Sequence, residues 1–308
     1  MDNLNYLDHI PSSIQNGDIP IYYNPDYLKG VNSEIKSFCA IRKNDFKLVL
    51  MIHFQVESRK ANSLKDAPFG GLICNEPIPQ NTIRAFLEYV IDQLKQQGVS
   101  HLIIKTAPPI YDSAEFIDGS HFLSLKFTKL TTDINHHIPI NKNELADHVS
   151  PMQKRRLKKC MDAKFKTVSE RPNQLETVFQ FISECRKGKN HSLSVTLKKL
   201  KAAFTAFPER YLIFCCYDNE TLVAATICVV VNSKVLYNFL PASALDYNSF
   251  SPMVFLISHI YWFCKDNQFD ILDLGTSMLD NQPNDKLIAF KKRIGGIQAE
   301  RYLYELNL

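Results

Sequence analysis

A lysine lies on the apolar side of a predicted helix near the C-terminus. Four residues share the i, i+3, i+4, i+7 spacing of a buried helix face: Leu287, Phe290, Lys291 and Ile294. An ammonium on this face has two interpretations. Either its alkyl chain covers apolar surface while its charge reaches water, or its charge points into a cleft, where it stabilises negative charge on a reacting carbonyl or on a phosphate. The second interpretation makes Lys291 the candidate catalytic residue.

The residues around Lys291 define where this helix begins and ends. Asn284 is the predicted N-cap and Gly295 the predicted C-terminal stop. Lys292 and Arg293 project from other sides of the helix, so we expect them to face solvent.

The segment DLGTS, residues 273–277, follows a predicted strand directly. It is typical of a tight turn that uses the conformational freedom of glycine. The carboxyl ends of strands in open α/β sheets also border ligand crevices. Asp273 can then orient an amine or a hydroxyl, and we take Asp273, Gly275 and Ser277 as candidate substrate-binding residues.

Further hydroxyl groups lie in YNFLPASALDYNSFSP, which leads from a strand into a helix. Ser251 followed by Pro252 is typical of a helix N-cap with proline at the first helical position. Three hydroxyls of this segment are further candidates for substrate binding: Tyr237, Ser243 and Tyr247.

A basic helix is predicted in QKRRLKKC, with Ser150 as N-cap and Pro151 at the first helical position. Its narrow apolar side is expected to carry Leu157, Cys160 and Met161. Lys154 and Lys158 are four residues apart, as are Arg155 and Lys159, and like charges at this spacing repel. A solvated surface is one interpretation. The other is an anionic partner bound by Lys154, Arg155 and Lys158, which could be a phosphate-bearing substrate, a carrier, RNA or an anionic lipid.

Composition and motifs exclude several classes of protein. The 308 residues are 45% hydrophobic and 22% charged with a net charge of +4, which is an ordinary globular composition and too mild a charge to indicate nucleic acid by itself. Histidines and cysteines show no metal-ligand spacing, and no nucleotide-binding glycine motif or GxSxG elbow occurs. We therefore predict no metal site. The eight cysteines form no CxxC and indicate buried, reduced thiols.

The sequence shows neither a signal peptide nor a membrane-spanning stretch, and the predicted compartment depends on these two observations. The first residues, MDNLNYLDHI, lack the basic and then apolar pattern of a signal peptide. The most apolar stretch, residues 222–231, is too short to cross a bilayer and is typical of a buried strand. We expect a cytoplasmic protein with no integral membrane segment.

Alternating strand and helix patterns predict an α/β (mixed α+β) fold. Helices are predicted at 81–98, 251–266 and around Lys291. Strand candidates lie at 37–43, 46–56, 101–106, 126–140, 211–217, 221–231, 234–240, 269–275 and 297–306.

Two helix–strand units can be superposed along the chain. With an offset of 169 residues, from Phe86 to Phe255, apolar residues of the two units coincide. This indicates a duplication. We therefore predict two similar domains, 1–147 and 148–308.

Motifs in a fixed order resemble a known family. The second half carries YNFLPAS, FDILDLGTS and AFKK in succession after the basic helix, and the first half carries APFGG followed by HLIIKTAPPIY. In this order the chain resembles Fem-type aminoacyltransferases and related acyltransferases of the GNAT superfamily over most of its length. The resemblance implies two GNAT-like domains, each a mixed sheet flanked by helices.

The resemblance also implies a reaction. Fem enzymes transfer an amino acid from aminoacyl-tRNA to the peptide of a peptidoglycan precursor, and relatives move other acyl groups onto amines. Phe290 and Lys291 match the Phe-Lys pair at the acyl-transfer centre of the family. The resemblance therefore implies that Lys291 stabilises the tetrahedral oxyanion and that the backbone carbonyl of Phe290 positions the amine. The expected partners are an activated acyl donor and an amine acceptor.

Departures from the family keep the donor open. The Gln/Arg-x-x-Gly-x-Gly/Ala segment with which acetyl-CoA enzymes hold the pyrophosphate is absent, as is the long helical arm of several Fem enzymes. Three hypotheses remain: transfer from aminoacyl-tRNA, with tRNA on the basic helix; transfer from acyl-CoA or an acyl carrier protein to a lipid or small metabolite; and a non-catalytic binding module on the same fold. The acyl group, the acceptor and the oligomeric state are left open by the sequence.

Overall fold

The computed structural model divides the chain into two compact units. Unit 1 comprises Met1–Asn135 and Ala299–Leu308, and unit 2 comprises His136–Gln298. The residues that the structure describes are 3–12, 14, 18–31, 33–111, 119–141, 145–189, 192–193 and 195–308.

Unit 1 is a mixed sheet with one long helix. Its helices are α1 (Pro25–Lys29), α2 (Gln80–Gln96) and α3 (Gly119–Ser124), and a 3-10 turn covers Ile21–Tyr23. Its strands are β1 (Leu4–Leu7), β2 (Glu34–Arg42), β3 (Leu48–Glu57), β4 (Lys60–Asn62), β5 (Ile73–Cys74), β6 (His101–Lys105) and β7 (Thr128–Pro139), which runs across the boundary between the units. In the sheet, β1, β2, β3 and β4 are antiparallel neighbours, β4 is parallel to β6, and β5 pairs with β3.

Unit 2 contains most of the helices. These are α4 (Leu145–His148), α5 (Pro151–Asp162), α6 (Leu175–Lys187), α7 (Leu197–Ala206), α8 (Pro252–Asp266) and α9 (Asp285–Arg293), with 3-10 turns at Pro172–Gln174 and Leu245–Tyr247. The strands are β8 (Lys166–Glu170), β9 (Tyr211–Asp218), β10 (Thr221–Val230), β11 (Val235–Asn238), β12 (Ala242–Ser243), β13 (Ile271–Thr276), β14 (Met278–Leu279) and β15 (Gln282–Pro283). The last strand of the chain is β16 (Ile297–Asn307).

The two units repeat one topology. In unit 2, β8, β9, β10 and β11 are antiparallel neighbours, β11 is parallel to β13, and β12 pairs with β10. This is the pattern of β1 to β6 in unit 1, with α8 following the strands as α2 does. All nine strand candidates of the sequence are strands, and the predicted fold class, two mixed α/β units, is confirmed.

Burial corrects the offset of the repeat. An offset of 170 residues, from Leu102 to Leu272, pairs each buried position of α2 and β6 that is given below with a buried position of α8 or β13. The offset of 169 residues pairs several of these buried positions with positions that are not buried. The pairs are Thr82/Pro252, Ile83/Met253, Phe86/Leu256, Leu87/Ile257, Val90/Ile260, Leu94/Cys264, Leu102/Leu272 and Ile104/Leu274. Apolar residues flank the buried positions in both units, so residue type alone fits either offset.

The observed units differ from the predicted domains in where the first unit ends and in where the last strand belongs. The boundary falls inside β7 rather than at 147/148, and β16 belongs to unit 1 rather than to the second domain. In unit 1, β16 pairs antiparallel with β6, from Leu303 opposite Lys105 to Asn307 opposite His101. The alternating pattern of β16 predicts a strand but carries no information about which strand it pairs with.

The side chains of β16 complete the core of unit 1. Tyr304 is 2% exposed and stacks on Phe122 with ring centroids 4.8 Å apart. Arg301 donates hydrogen bonds to the carboxylate of Asp133 and to the carbonyl oxygen of Pro68. These contacts fasten the end of the chain to residues that precede it by more than 160 positions.

The cysteines agree with the expectation from the sequence. All eight cysteines are free, and seven of them are buried, as predicted for reduced core thiols. Within the described ranges, no helix has the length and apolar character needed to cross a membrane.

The placement of β16 generates a stability prediction. Tyr304→Ala removes a buried ring, so we expect a loss of about 3 kcal/mol in the free energy of unfolding, the usual result of truncating a core aromatic residue. Hydrogen exchange should accelerate in α2 and β6 of unit 1 and remain unchanged in α8 and β13. Tyr261→Ala, at a buried position of α8, is the matched control and should show the reverse pattern. Acceleration confined to unit 2 in Tyr304→Ala would contradict this division of the chain.

Candidate active site

Helix α9 has the ends that the sequence predicts. The side-chain oxygen of Asn284 accepts a hydrogen bond of 3.1 Å from the amide of Leu287, which caps the N-terminus. At the other end Gly295 has φ +88°, and the amide of Gly296 donates to the carbonyl of Lys291 at 2.8 Å. This left-handed glycine cap ends the helix directly after Arg293.

The ammonium of Lys291 is turned into the protein. Lys291 is 5% exposed, and its Nζ donates to the backbone carbonyls of Gly275 and Thr276, each at 2.7 Å. Lys292 and Arg293 are exposed, as expected. A buried ammonium is stable only when its protons are bonded, and here two carbonyls at the end of β13 accept from it. The interpretation in which the charge of Lys291 reaches solvent is therefore excluded.

The turn that supplies these carbonyls is held in an unusual conformation. Gly275 has φ +74°, and a Cβ at this position would lie 2.8 Å from Cε2 of Tyr237. Asp273 is buried and accepts a 2.7 Å hydrogen bond from the amide of Gly275. Tyr237 lies opposite Asp273 in the parallel pair of β11 and β13. Only glycine combines this backbone angle with the close approach of the tyrosine ring.

Ser277 lies at the end of the same turn and is fully buried. Its Oγ is 2.9 Å from Nδ1 of His136, and its carbonyl accepts a 2.8 Å hydrogen bond from the amide of Asn284. Burial, and then the charges of Lys291 and Lys292, lower the pKa of His136 to about 4. The imidazole is thus neutral at physiological pH.

His136 is a site residue that sequence reasoning missed. The pair His136–His137 is visible in the sequence, but it lacks metal-ligand spacing, and an adjacent pair of histidines does not by itself indicate a site. Its position 141 residues before Ser277 is a tertiary contact that no local pattern reveals. Among the described residues, no group of three or more histidine, cysteine or acidic side chains is arranged to hold a metal ion.

Only some of the predicted substrate-binding residues lie near Lys291. The structure brings together Lys291, Asp273, Gly275, Ser277 and Tyr237. Two predicted substrate-binding hydroxyls have contacts of a different kind: Ser243 lies in β12, paired with Ala224 of β10, and the hydroxyl of Tyr247 donates to Asp218 at 3.0 Å. The ring of Tyr247 also contacts Phe165 and Phe250.

Phe290 precedes Lys291 on α9 and is half-buried against the core of unit 2. Its backbone carbonyl accepts a hydrogen bond of 3.2 Å from the amide of Ile294. A carbonyl oxygen has two lone pairs, and this bond uses one of them.

The basic helix, α5, starts at Pro151 after Ser150 as predicted, although the hydroxyl of Ser150 makes no capping bond. Its buried residues are Gln153, Leu157 and Cys160. Met161, which the sequence placed on the apolar side, is 63% exposed instead. The apolar side is therefore narrower than predicted.

The basic residues of α5 have two kinds of surroundings. Arg156 donates to the hydroxyl of Ser251 at 3.0 Å, and Lys159 lies 4.1 Å from the ring centroid of Phe250. The three predicted anion-binding residues, Lys154, Arg155 and Lys158, are exposed. In the part of the chain that the structure describes, none of these three forms an ion pair, so their mutual repulsion is unrelieved.

A family model matches the part of the chain that contains much of this geometry. A family model described as an acetyltransferase (GNAT) domain matches residues 152–286, which include α5, α8 and the turn at Gly275. A search of curated protein sequences found no significant match.

Solved structures share the fold of the whole chain. The crystal structure of FemX aligns with this chain with a TM-score of 0.70 and 9% sequence identity. The alignment covers 95% of this chain and 93% of the FemX chain. The structure of L-PGS from Bacillus licheniformis aligns with 94% of this chain and 93% of its own, with a TM-score of 0.59 and 12% identity. A tandem GNAT protein from the clavulanic acid biosynthesis pathway covers 92% of this chain and 87% of its own, with a TM-score of 0.50 and 9% identity.

These findings confirm three predictions from the sequence. The structural similarity confirms the tandem mixed α/β fold, since identities this low carry information about the fold alone. The family model confirms the resemblance to GNAT proteins and the enzyme class. Residues 152–286 thus match an acetyltransferase (GNAT) domain, and the chain as a whole shares its fold with FemX.

Proposed function

We propose that this protein transfers an aminoacyl group from aminoacyl-tRNA to the amine of an acceptor molecule, with Lys291 as the oxyanion-stabilising residue. The observation that carries this proposal is the burial of the Lys291 ammonium against the carbonyls of Gly275 and Thr276. A cation fixed before the reaction, in a site with little water, stabilises developing negative charge without further reorganisation.

In the proposed reaction the lone pair of the acceptor amine attacks the carbonyl carbon of the aminoacyl ester. A C–N bond forms, and the carbonyl oxygen becomes an oxyanion that accepts a hydrogen bond from the ammonium of Lys291. Collapse of this intermediate breaks the C–O bond to the tRNA ribose. The proton lost by the amine goes to the departing ribose oxygen, so the products are an amide and a free tRNA hydroxyl.

Asp273 and Tyr237 lie next to the turn that holds Lys291. The carboxylate of Asp273 bonds the amide of Gly275 through one oxygen, and the ring of Tyr237 packs against the same glycine. In the proposal these residues shape the acceptor site, together with Ser277. The carbonyl of Phe290 accepts a hydrogen bond from the attacking amine.

The start of α8 favours a tRNA donor over a thioester of CoA. A helix start that binds pyrophosphate offers several unbonded amides. Pro252 at the first helical position has no N–H, and the amide of Val254 donates to the carbonyl of Ser251 at 2.9 Å. The hydroxyl of Ser251 is bonded to Arg156.

The exposed side of α5 supplies a surface for the tRNA. Lys154, Arg155 and Lys158 repel one another at neutral pH, and binding to nucleic acid phosphates relieves this repulsion. The same binding releases the counterions that surround the nucleic acid, which adds to the affinity. Fem-type enzymes use aminoacyl-tRNA, and FemX and L-PGS share this fold. A peptidoglycan precursor is the acceptor that the resemblance to Fem enzymes supports.

Replacement of Lys291 tests the catalytic role. We expect Lys291→Ala to lower the rate of transfer by about 10²–10³-fold, the effect of removing one oxyanion donor, because the remaining site has no fixed cation for the intermediate. The assay follows label from a pool of tRNA charged with radioactive amino acids into a panel of peptide and lipid amines. Lys292→Ala, at the exposed neighbouring position, should retain wild-type transfer. Wild-type rates in Lys291→Ala would refute the proposed role.

Neutralisation of α5 tests the donor. We expect the triple variant Lys154→Gln, Arg155→Gln, Lys158→Gln to bind tRNA more weakly, and its plot of log affinity against log salt to be less steep by about 2–3, since roughly three phosphate contacts are lost. Filter binding over a series of salt concentrations measures both values. The control replaces three other exposed lysines, Lys95, Lys198 and Lys199, and should leave the slope unchanged. Equal slopes in the two triple variants would exclude α5 as the tRNA surface.

A further inference from the structure

Ser277 connects three parts of the candidate site. Its hydroxyl bonds His136 of β7, and its carbonyl accepts from Asn284, the N-cap of the helix that carries Lys291. Ser277 also directly follows Gly275 and Thr276, whose carbonyls hold the Lys291 ammonium. The position of these two carbonyls therefore depends on how firmly Ser277 is fixed.

His136 is the partner of the Ser277 side chain, whereas Asn284 bonds its backbone carbonyl. His136 is fully buried, and its Nδ1 lies 2.9 Å from the serine hydroxyl. Its other ring nitrogen, Nε2, is buried and has no hydrogen-bond partner among the described residues. Among the described residues, the single hydrogen bond of this imidazole is thus directed at the turn.

The charge of His136 fits a role as a neutral partner. Besides burial, the charges of Lys291 and Lys292 lower the pKa of His136, and His137 is the other titratable group that does so. A protonated imidazole here would place a second positive charge beside a buried ammonium. Burial and these lysines keep the imidazole neutral, so that it bonds the serine without opposing Lys291.

We propose that His136 is a positioning residue for acyl transfer, which acts through the hydroxyl of Ser277 to fix the turn that holds the Lys291 ammonium. The importance of this contact for catalysis rests on the proposed function of Lys291; the contact itself and its effect on Lys291 do not. Without the bond, the carbonyls of Gly275 and Thr276 lose their fixed position and the ammonium becomes more accessible.

Unit 1 contains a matched control for this contact. His53 is fully buried, its Nδ1 lies 2.8 Å from the hydroxyl of Ser37, and its Nε2 is buried without a partner in the described structure. Burial lowers the pKa of His53 to about 3. Ser37→Ala therefore removes the same kind of bond as Ser277→Ala, in the unit that does not contain Lys291.

The first experiment measures the accessibility of Lys291 without any substrate. The protein is treated briefly with acetic anhydride, and mass spectrometry gives the acetylation rate of Lys291 relative to its exposed neighbour Lys292. We expect Ser277→Ala to raise this ratio about fivefold, the factor that corresponds to losing a hydrogen bond of about 1 kcal/mol. Ser37→Ala should leave the ratio at its wild-type value. An unchanged ratio in Ser277→Ala would overturn the inference.

Variants of the histidine separate positioning from packing. His136→Leu fills the same space without a polar atom and should raise the acetylation ratio as Ser277→Ala does. His136→Asn places an amide near the position of Nδ1 and should restore the wild-type ratio. The double variant His136→Leu, Ser277→Ala should equal either single variant, because both remove one bond. Failure of asparagine to restore the ratio, or additive effects, would contradict the proposed contact.

The transfer assay then distinguishes this inference from the proposed function. If both hold, Ser277→Ala and His136→Leu lower kcat while Ser37→Ala and His136→Asn do not. If acetylation responds as expected but Lys291→Ala transfers at the wild-type rate, the contact exists and the function of Lys291 is wrong. If Lys291→Ala is inactive and the acetylation ratio never changes, the function stands and His136 has no positioning role.

Discussion

The site depends on one interaction, the burial of an ammonium against two backbone carbonyls. Removing a charge from water costs several kcal/mol unless its protons are bonded, so Lys291 requires acceptors at the place where α9 delivers it. The carbonyls of Gly275 and Thr276 are those acceptors. They face the lysine because Gly275 adopts a backbone angle that side chains disfavour and because Asp273 and Ser277 fix the residues on either side.

A related arrangement occurs in unit 1. With the corrected offset, Lys105 occupies the position that corresponds to Gly275, at the end of β6. Its ammonium donates to the carbonyls of Lys65 and Ala67, and burial, followed by the nearby charge of Arg301, lowers its pKa to about 8. In both units a cation thus satisfies carbonyls near the end of the strand that follows the long helix. In unit 1 the strand supplies the cation, whereas in unit 2 it supplies the carbonyls.

The sequence predicts local structure well and tertiary contacts only where a pattern encodes them. Strand alternation, the Asn284 cap and the Gly295 stop were predicted because each depends on neighbours in the chain. The place of Lys291 on a helix face left two interpretations open, and its contacts with Gly275 and Thr276 decide between them. The bond from His136 to Ser277, the exposure of Met161 and the pairing of β16 with β6 depend on residues far away in the sequence, and no local pattern specifies them. The proposed reaction comes from the resemblance to a family. Residue spacing alone indicated only an anionic partner and left several kinds of anion open.

The return of β16 to the first unit also has a consequence for biosynthesis. A ribosome releases the N-terminal residues first, and domains generally fold in that order. Here the sheet of the first-made unit remains with β6 unpaired on one side until the strand at Ile297–Asn307 has left the exit tunnel. During translation that open edge is a template for pairing with other nascent chains, and β16 closes it only after synthesis has passed the second unit.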